Sequence, residues 1–339
     1  MRPRGLDFDE EDVRVRPGRG SRPRTRRRPE HAEAVPGFVI AVDRGRYTCV
    51  VDGRRIVAMK ARELGRRSVA VGDQVHLVGD VSGAPGTLAR IVRVEPRTST
   101  LRRTADDTDP VERVIVAGAD QLAIVVSLAD PPPRPRLIDR CLVAAFDAKL
   151  DPLLCLTKSD LAPPTPLIEA YGPLDVPYVV TGRNDDELRE VTGLDELRSR
   201  LVDRTSVLVG HSGVGKSTLV NALVPDAGRV TAEVNPVTGR GRHASTSAVA
   251  LPLPEGGWII DTPGVRSFGL AHVSAETVVA AFPDLAEGAE HCPRGCNHLG
   301  SECALDDWVA GGGARRDADA RRLDSLRRLL ASRERHEGD

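Results

Sequence analysis

The residues best suited to chemistry form a glycine-rich loop, Gly210-His-Ser-Gly-Val-Gly-Lys216-Ser217, which fits the pattern G-x-x-x-x-G-K-[ST]. The backbone N–H groups of such a loop face nucleotide phosphates, and the helix that follows presents its N-terminus to them. We expect Lys216 to reach the β- and γ-phosphates and Ser217 to ligate Mg²⁺. The predicted nucleotide-binding residues here are Gly210, His211, Ser212, Gly213, Val214, Gly215, Lys216, Ser217 and Thr218.

A second phosphate-site motif, Asp261-Thr-Pro-Gly264, follows a predicted strand at Trp258–Asp261. We expect Asp261 to hold Mg²⁺ through water and the Gly264 amide to sense the γ-phosphate. The motif is common in isolation. Its position after a strand, beyond a P-loop, makes it a strong signal here.

A third motif, Thr157-Lys158-Ser159-Asp160, also ends a predicted buried strand. The Asp160 carboxylate is expected to pair with the N1 and N2 donors of guanine, which excludes adenine. Asn is usual in the first position, and Thr157 can tie this loop to the P-loop only by a hydroxyl bond, because it has fewer donors than an amide. Thr181-Gly182 is a candidate loop behind the base. The alternative for the motif is a plain turn after a strand.

A cysteine and histidine cluster lies near the C-terminus, as Cys292-x3-Cys296-x-His298-x4-Cys303. Three thiolates and an imidazole predict one structural Zn²⁺ with a closed tetrahedral shell, because no ligand position is left open. His291 is a rival ligand that Cys292 makes redundant. The other cysteines are expected to be buried thiols, at Cys49, Cys141 and Cys155.

The elements that must position these motifs fall into distinct regions. Residues 1–30 are an Arg/Pro-rich tail expected to be disordered, and Arg14 to Arg28 contains no acidic residue. Residues 31–97 predict five short strands and hence a small β-barrel, with an OB-fold as the best match, for RNA binding or for protein docking. The predicted strands are Gly37–Val42, Tyr47–Val51, Arg54–Met59, Gln74–Val78 and Thr87–Val94.

Strands and helices alternate over residues 98–269, which predicts an α/β domain of three layers. Its predicted strands are Leu122–Ser127, Leu153–Thr157, Val176–Val180, Ser206–Val209, Ser247–Leu253 and Trp258–Asp261, and its predicted helices are Leu137–Leu150, Leu194–Val202 and Lys216–Leu223. Residues 225–245 predict a mobile loop. Residues 270–339 predict a small helical zinc-binding domain that ends in a helix near 315–335, with Leu323, Leu326, Leu329 and Leu330 on one face.

Composition narrows the class of protein further. The formal net charge of -1 implies no general polyanion partner, although the basic tail could touch nucleic acid phosphates. The basic start is followed by no apolar run of signal-peptide type, and no apolar stretch reaches membrane-spanning length. We therefore expect a cytoplasmic protein with no membrane contact that acts as a monomer.

The order of the motifs is unusual, because the guanine-reading element precedes the P-loop. With the barrel before and the Cys/His cluster after, the chain resembles the circularly permuted ribosome small subunit-dependent GTPase A family (RsgA, also called YjeQ). The stretches that carry the resemblance are Val71-Gly-Asp-Gln-Val75, Leu137-Ile-Asp-Arg140, Gly210 to Leu219, Gly241-Arg-His-Ala-Ser-Thr246, Asp261-Thr-Pro-Gly-Val-Arg266 and the cysteines.

The resemblance implies a GTPase that acts late in assembly of the 30S ribosomal subunit, binds 16S rRNA near the decoding region, uses Mg²⁺ with GTP, and is stimulated by the subunit. It also points to His243 as the group that orders the attacking water, beside Lys216 and Asp261 as catalytic residues. The family's switch loop usually reads His-Thr-Thr, whereas this chain has His243-Ala-Ser-Thr246, so Ser245 or Thr246 would serve Mg²⁺. The cysteine spacings are each one residue tighter than the commonest family pattern.

Two other functions compete with this interpretation. A P-loop NTPase or kinase with another RNA partner would share the phosphate loop, but Asp160 favours guanine and the sequence has no obvious lid over an acceptor substrate. A non-catalytic RNA-binding module with zinc would not need the intact Lys216 and Asp261.

Overall fold

The computed structural model describes residues 31–65, 68–104, 112–184, 191–225, 227, 248–262, 273–311 and 316–334. The chain divides into two units, Met1–Ala32 and Glu33–Asp339, and every element named below lies in the second. The predicted tail (1–30) and nearly all of the predicted mobile loop (225–245) lie outside the described residues.

The first five strands close into a small barrel. They are β1 (Val35–Asp43), β2 (Arg46–Val51), β3 (Arg54–Lys60), β4 (Gln74–Gly79) and β5 (Ala89–Val94). They pair in the order β1-β2-β3-β5-β4, and β4 returns to β1 with Val35 opposite Leu77. Alternate side chains fill the interior, as the two-residue period of a strand requires, and Cys49, Ile56 and Ile91 are fully buried there. The predicted OB-like barrel is confirmed.

A hairpin that was not predicted follows the barrel. It consists of β6 (Thr100–Thr104) and β7 (Glu112–Ala117), which pair antiparallel. Val116 also bridges to Val71 of the barrel, and the Ser99 hydroxyl donates to the Ala119 carbonyl at 2.6 Å. The hairpin escaped prediction because β6 is mostly polar and the apolar run of β7 is too short to show a period.

The α/β domain is built on a mostly parallel sheet. Its strands are β8 (Gln121–Ser127), β9 (Asp151–Thr157), β10 (Tyr178–Val180), β13 (Thr205–Val209), β14 (Val249–Pro252) and β15 (Trp258–Asp261), and a separate ribbon pairs β11 (Gly182–Arg183) with β12 (Val191–Thr192). The order across the sheet is β10-β9-β8-β13-β15-β14, with only β14 antiparallel. Every residue of β8 is buried, as expected for a strand covered on both faces.

Four helices accompany this sheet. They are α1 (Pro135–Ala148), α2 (Thr165–Tyr171), α3 (Leu194–Leu201) and α4 (Lys216–Leu223). Three of them match predicted helices within about two residues at either end, and α2 was not predicted. Helix α2 is a short helix flanked by prolines, so it carries little periodic signal.

The barrel and the α/β sheet are continuous. Ala41 of β1 pairs with Val249 of β14, which joins the two into one eleven-stranded sheet. Alternation along β1 explains how one strand serves two cores: Val39 points into the barrel, whereas Phe38 packs into the core of the α/β domain. The Phe38 ring lies 4.8 Å from the ring of Trp258, between centroids.

The C-terminal region is helical, as predicted. It contains α5 (Ala275–Ala280), α6 (Pro283–Ala289), α7 (Leu305–Ala310) and α8 (Arg316–Glu334). The predicted apolar face of α8 is buried, with Leu326 and Leu329 fully enclosed. Within the part of the chain that the structure describes, no helix combines the length and apolar character needed to cross a membrane.

Candidate nucleotide and metal sites

The glycine-rich loop runs from the end of β13 to the start of α4. Gly210 has φ +152°, and a Cβ atom there would lie 2.4 Å from the Val125 carbonyl oxygen. Only glycine fits between the loop and the end of β8. Gly215, at φ +99°, is the N-cap of α4, so the loop leads directly into the helix N-terminus, where phosphate groups bind favourably.

Lys216 and Asp261 lie close together at this loop. The Lys216 ammonium donates to the carbonyls of Gly210 and His211 at 2.6 and 2.9 Å. Burial raises the pKa of Asp261, with the Lys216 charge opposing the rise; burial likewise lowers the pKa of Lys216, and Asp261 opposes that fall. The Thr262 hydroxyl donates to the Leu208 carbonyl at 2.7 Å and fixes the chain directly after Asp261.

The guanine-type loop follows β9 and contacts the P-loop directly. The Thr157 hydroxyl donates to the Val214 carbonyl at 2.6 Å, which is the tie that the sequence suggested for a threonine in this position. Lys158 takes a left-handed backbone conformation at φ +61°, and its ammonium donates to the carbonyl of Asp130 in the loop after β8. These bonds tie the guanine-type loop both to the P-loop and to the loop after β8.

A cavity of about 240 Å³ opens between these loops. The lining includes Thr157, Lys158, Asp160, Leu161, Thr181, Gly182, Arg183, Val191, Gly215, Thr218 and Leu219. Because β8, β9, β10, β13 and β15 are parallel, the motifs that follow them meet at one edge of the sheet, where ligands bind in open α/β folds. Gly182 of β11 was named as part of the candidate loop behind the base, but Arg183 and Val191 were missed because neither belongs to a recognisable motif.

The described part of the chain includes only some of the predicted site residues. Gly264, His243, Ser245 and Thr246 lie outside the described residues, as does Val265. The structure thus brings together Thr157 to Asp160, Gly210 to Thr218 and Asp261.

The four predicted zinc ligands form a compact cluster. The ligand atoms of Cys292, Cys296, His298 and Cys303 all lie within 4.8 Å of one another. Cys292 Sγ is 3.5 Å from His298 Nδ1 and 3.7 Å from Cys303 Sγ, and Cys303 Sγ is 3.7 Å from the same nitrogen. Tetrahedral zinc with ordinary bond lengths places neighbouring ligand atoms about 3.6–3.8 Å apart. The residues present therefore fit this ion.

Neighbouring groups support the cluster. Burial lowers the pKa of His298, which favours the neutral imidazole that a metal requires. Burial raises the pKa of the Cys303 thiol to about 11, so this thiol would need a bound cation to lose its proton near neutral pH. Arg327 of α8 donates to the His298 carbonyl at 3.1 Å and pairs with Asp306 of α7 at 2.7 and 2.8 Å. The remaining cysteines, Cys49, Cys141 and Cys155, are buried, as predicted.

Comparisons with known proteins agree with this geometry. The model of the RsgA GTPase family matches residues 94–271. A small ribosomal subunit biogenesis GTPase RsgA from Chlorobaculum parvum is 36% identical over 82% of this chain and 90% of its own, and a protein of the same name from Nitrosospira multiformis is 34% identical over 92% and 93%.

Solved structures of related proteins share the fold of this chain. YjeQ from Thermotoga maritima superposes with a TM-score of 0.62 at 26% identity, over 89% of this chain and all of that one. YloQ, described as a circularly permuted GTPase, superposes with a TM-score of 0.61 over 91% of this chain and all of its own; its 23% identity supports the fold alone. The motif order, the barrel, the family match and the similarity to these relatives show that the chain belongs to the RsgA GTPase family of circularly permuted GTPases.

Proposed function

We propose that this protein hydrolyses GTP to GDP and phosphate during maturation of the small ribosomal subunit, and that the subunit itself stimulates hydrolysis. The observation that carries the proposal is the meeting of the guanine-type loop, the P-loop and Asp261 at one sheet edge, tied by the bond from Thr157 to Val214. The names of the relatives supply the biological setting.

The phosphate half of the site divides its work among a few groups. The amides of Gly210 to Thr218 and the start of α4 bind phosphate oxygens. The Lys216 ammonium stabilises the negative charge on the β- and γ-phosphates. Ser217 and Asp261 would hold Mg²⁺, with Ser245 or Thr246 from the switch loop and Gly264 near the γ-phosphate. A Mg²⁺ held there would neutralise charge that develops on the bridging phosphate oxygens.

Hydrolysis also needs a group to orient the attacking water. Val265 stands where Ras-type enzymes carry the glutamine for this role, and an apolar side chain cannot orient water. We assign the role to His243, whose imidazole can order the water or stabilise charge in the transition state. If the catalytic site is complete only when the protein is bound to the subunit, the free protein hydrolyses GTP slowly.

Guanine selectivity is assigned to Asp160. Its carboxylate lies on the cavity wall beside Lys158 and Thr181, where it can accept two N–H donors from the guanine edge. Adenine offers a ring acceptor in place of the guanine N1–H. The site therefore favours GTP over ATP, which separates this proposal from a kinase that uses ATP.

The outer face of the barrel suits RNA. Arg46, Met59, Arg90 and Val78 are cross-strand neighbours in one row over β2, β3, β5 and β4, and Val57, Met59 and Leu88 are exposed. Guanidinium groups pair with phosphates and stack on bases, and nearby apolar side chains cover base faces. We assign 16S rRNA as the partner of this face, for a protein that works as a monomer in the cytoplasm.

The Cys/His cluster is assigned to one structural Zn²⁺. A closed shell of four protein ligands leaves no position for catalysis, and Arg327 links the cluster to α8. Metal analysis of the purified protein is expected to give about one zinc per chain. Cys303→Ser should lose it, whereas Cys141→Ala, outside the cluster, should retain it; equal zinc in both variants would contradict the assignment.

The experiment that tests the function is GTP hydrolysis with and without purified 30S subunits. We expect strong stimulation by the subunit, and its loss in Lys216→Ala, because the P-loop ammonium acts on the transferred phosphate. Lys149→Asn is the matched control, since Lys149 lies at the end of α1 in a left-handed conformation that Asn tolerates. Tight GTP binding without any stimulation would overturn the ribosomal part of the proposal.

A further inference from the structure

The ribbon formed by β11 and β12 is one wall of the nucleotide cavity. Gly182 lies opposite Thr192 and Arg183 opposite Val191 in the antiparallel pair. Arg183 and Val191 line the cavity together with Asp160. The loop behind the base is thus backed by a second strand from later in the chain, just before α3.

The ribbon holds the guanine-reading carboxylate in place. The backbone N–H of Arg183 donates to Asp160 Oδ1 at 2.8 Å, and the N–H of Ser159 donates to the Thr181 carbonyl at 3.1 Å. A hydrogen bond to an ionised carboxylate is stronger than a bond between neutral groups. The orientation of Asp160 therefore depends on where the chain at residues 181–183 lies.

Close packing makes that dependence tight. A Cβ atom on Gly182 would lie 2.4 Å from Ser159 Oγ and 3.1 Å from Asp160 Oδ1. No side chain can therefore stand between the ribbon and the guanine-type loop. Gly182 therefore packs directly against Ser159 and Asp160.

The hydroxyl of Thr192 holds Gly182. The Gly182 N–H donates to Thr192 Oγ1 at 3.1 Å, across the ribbon. With two residues in each strand, the ribbon has few backbone hydrogen bonds of its own, and isolated two-stranded pairs are marginal in water. The Thr181 N–H fixes the start of the ribbon by donating to the Leu156 carbonyl at 2.7 Å, and the Thr192 hydroxyl adds a bond across the ribbon at Gly182.

We infer that Thr192 is a positioning residue for guanine recognition, which acts through Gly182 and Arg183 to hold the Asp160 carboxylate against the base. The inference rests on the proposed function, because it assumes that the cavity receives guanine. Thr192 itself needs no contact with the nucleotide. Its effect is expected in the preference for guanine over adenine nucleotides rather than in phosphate binding.

The test compares Thr192→Val with Thr192→Ser by titration of fluorescent GDP and ADP. We expect Thr192→Val to weaken GDP binding about 3- to 10-fold, the effect of one hydrogen bond. ADP binding should stay unchanged, so selectivity falls by the same factor. Thr192→Ser should restore both values because it keeps the hydroxyl. Thr87→Val is the matched control: its hydroxyl also bonds a backbone group, the Ala84 carbonyl, but in the barrel.

Asp160→Asn distinguishes the positioning role of Thr192 from the guanine site itself. We expect the single variant Asp160→Asn to lose its preference for GDP over ADP. Adding Thr192→Val to it should cause no further loss, because Thr192 acts through Asp160. Equal weakening of GDP and ADP by Thr192→Val, no weakening at all, or an additive loss in the Asp160→Asn background would overturn the inference. If Asp160→Asn kept full GDP selectivity, the guanine site itself would fail, and the proposed function with it.

Discussion

At the residue scale, Thr157 shows how a GTPase loop works without its usual asparagine. Its hydroxyl is buried and donates to Val214 in the P-loop, at 2.6 Å. We expect Thr157→Val to weaken GDP binding about 3- to 10-fold, because the loops lose one buried hydrogen bond. Thr157→Ser, which keeps the hydroxyl, should bind nearly as the native protein does. Isothermal titration measures both, and equal affinities for the two variants would show that the tie is unimportant.

A second residue, Asp139 of α1, is a buried acid outside the nucleotide site. Its Oδ1 atom accepts from the Tyr171 hydroxyl at 3.0 Å and from Arg328 Nε at 3.1 Å. Arg328 also lies over the Tyr171 ring, 4.8 Å from its centroid. Burial raises the pKa of Asp139 and outweighs the two partners, which act to lower it.

The raised pKa of Asp139 gives a pH dependence of stability. The folded protein holds this proton more tightly than the unfolded chain does, so the group stabilises the fold below its ordinary pKa of 3.8, and this contribution is lost as the pH rises through the folded value. Asp139→Asn cannot titrate. We therefore expect the free energy of unfolding of the native protein, minus that of the variant, to be larger at pH 4 than at pH 7. Urea unfolding at both pH values measures it, and the reverse order would contradict the burial argument.

At the element scale, α8 joins the C-terminal region that contains the Cys/His cluster to the GTPase domain. Arg322 of α8 pairs with Asp284 of α6 at 2.7 and 2.8 Å. The same guanidinium donates to Asp175 and to the Pro173 carbonyl in the turn after α2, at 2.6 and 2.5 Å. One side chain thus joins three segments, and only 17% of it is exposed.

We expect Arg322→Met to cost about 1–3 kcal/mol in the free energy of unfolding, because it leaves two carboxylates without their shared partner while preserving the apolar stem. Asp175 is largely exposed and Asp284 is partly exposed, so solvent screening places the loss toward the lower end. Arg321→Met, a change at the exposed neighbour, should alter stability by less than about 0.5 kcal/mol. Urea titration decides, and similar losses in both variants would argue against this role of Arg322.

The elements also show what a single sequence can and cannot predict. The buried strands β8, β9 and β13 were predicted from continuous apolar runs, and the helix α8 from leucines spaced at the helical period. The Cys/His cluster was predicted because its four residues are close in the chain. The β6–β7 hairpin and the β11–β12 ribbon were missed: their strands are short, and their pairing depends on distant partners such as Val71 and on close approach at Gly182.

At the scale of the whole molecule, the barrel and the GTPase sheet share a strand pairing beside the nucleotide site. Trp258, whose ring contacts that of Phe38 in a tilted arrangement, begins β15, and Asp261 ends it. Val249, which pairs with Ala41, lies opposite Asp261 across β14 and β15. Because the pairing is continuous, movement of the barrel has a direct route to the strand that carries Asp261.

This continuity predicts that barrel and GTPase domain unfold together. We expect one heat-unfolding transition in the native protein, and two in Phe38→Ala, because removal of a buried aromatic ring costs about 3–5 kcal/mol at the junction. Phe38→Leu should keep one transition, since it retains most of the apolar contact.

Trp258 itself can report the result. The chain has two tryptophans, so Trp308→Phe leaves Trp258 as the only one, and its emission follows the contact with Phe38 directly. Phe146→Ala is the matched control. Phe146 lies in α1 and packs against Phe282 of the C-terminal region, away from the barrel. This control should lower the single transition without dividing it. A single transition in Phe38→Ala would mean that the strand pairing of β1 with β14 couples the domains without the aromatic contact.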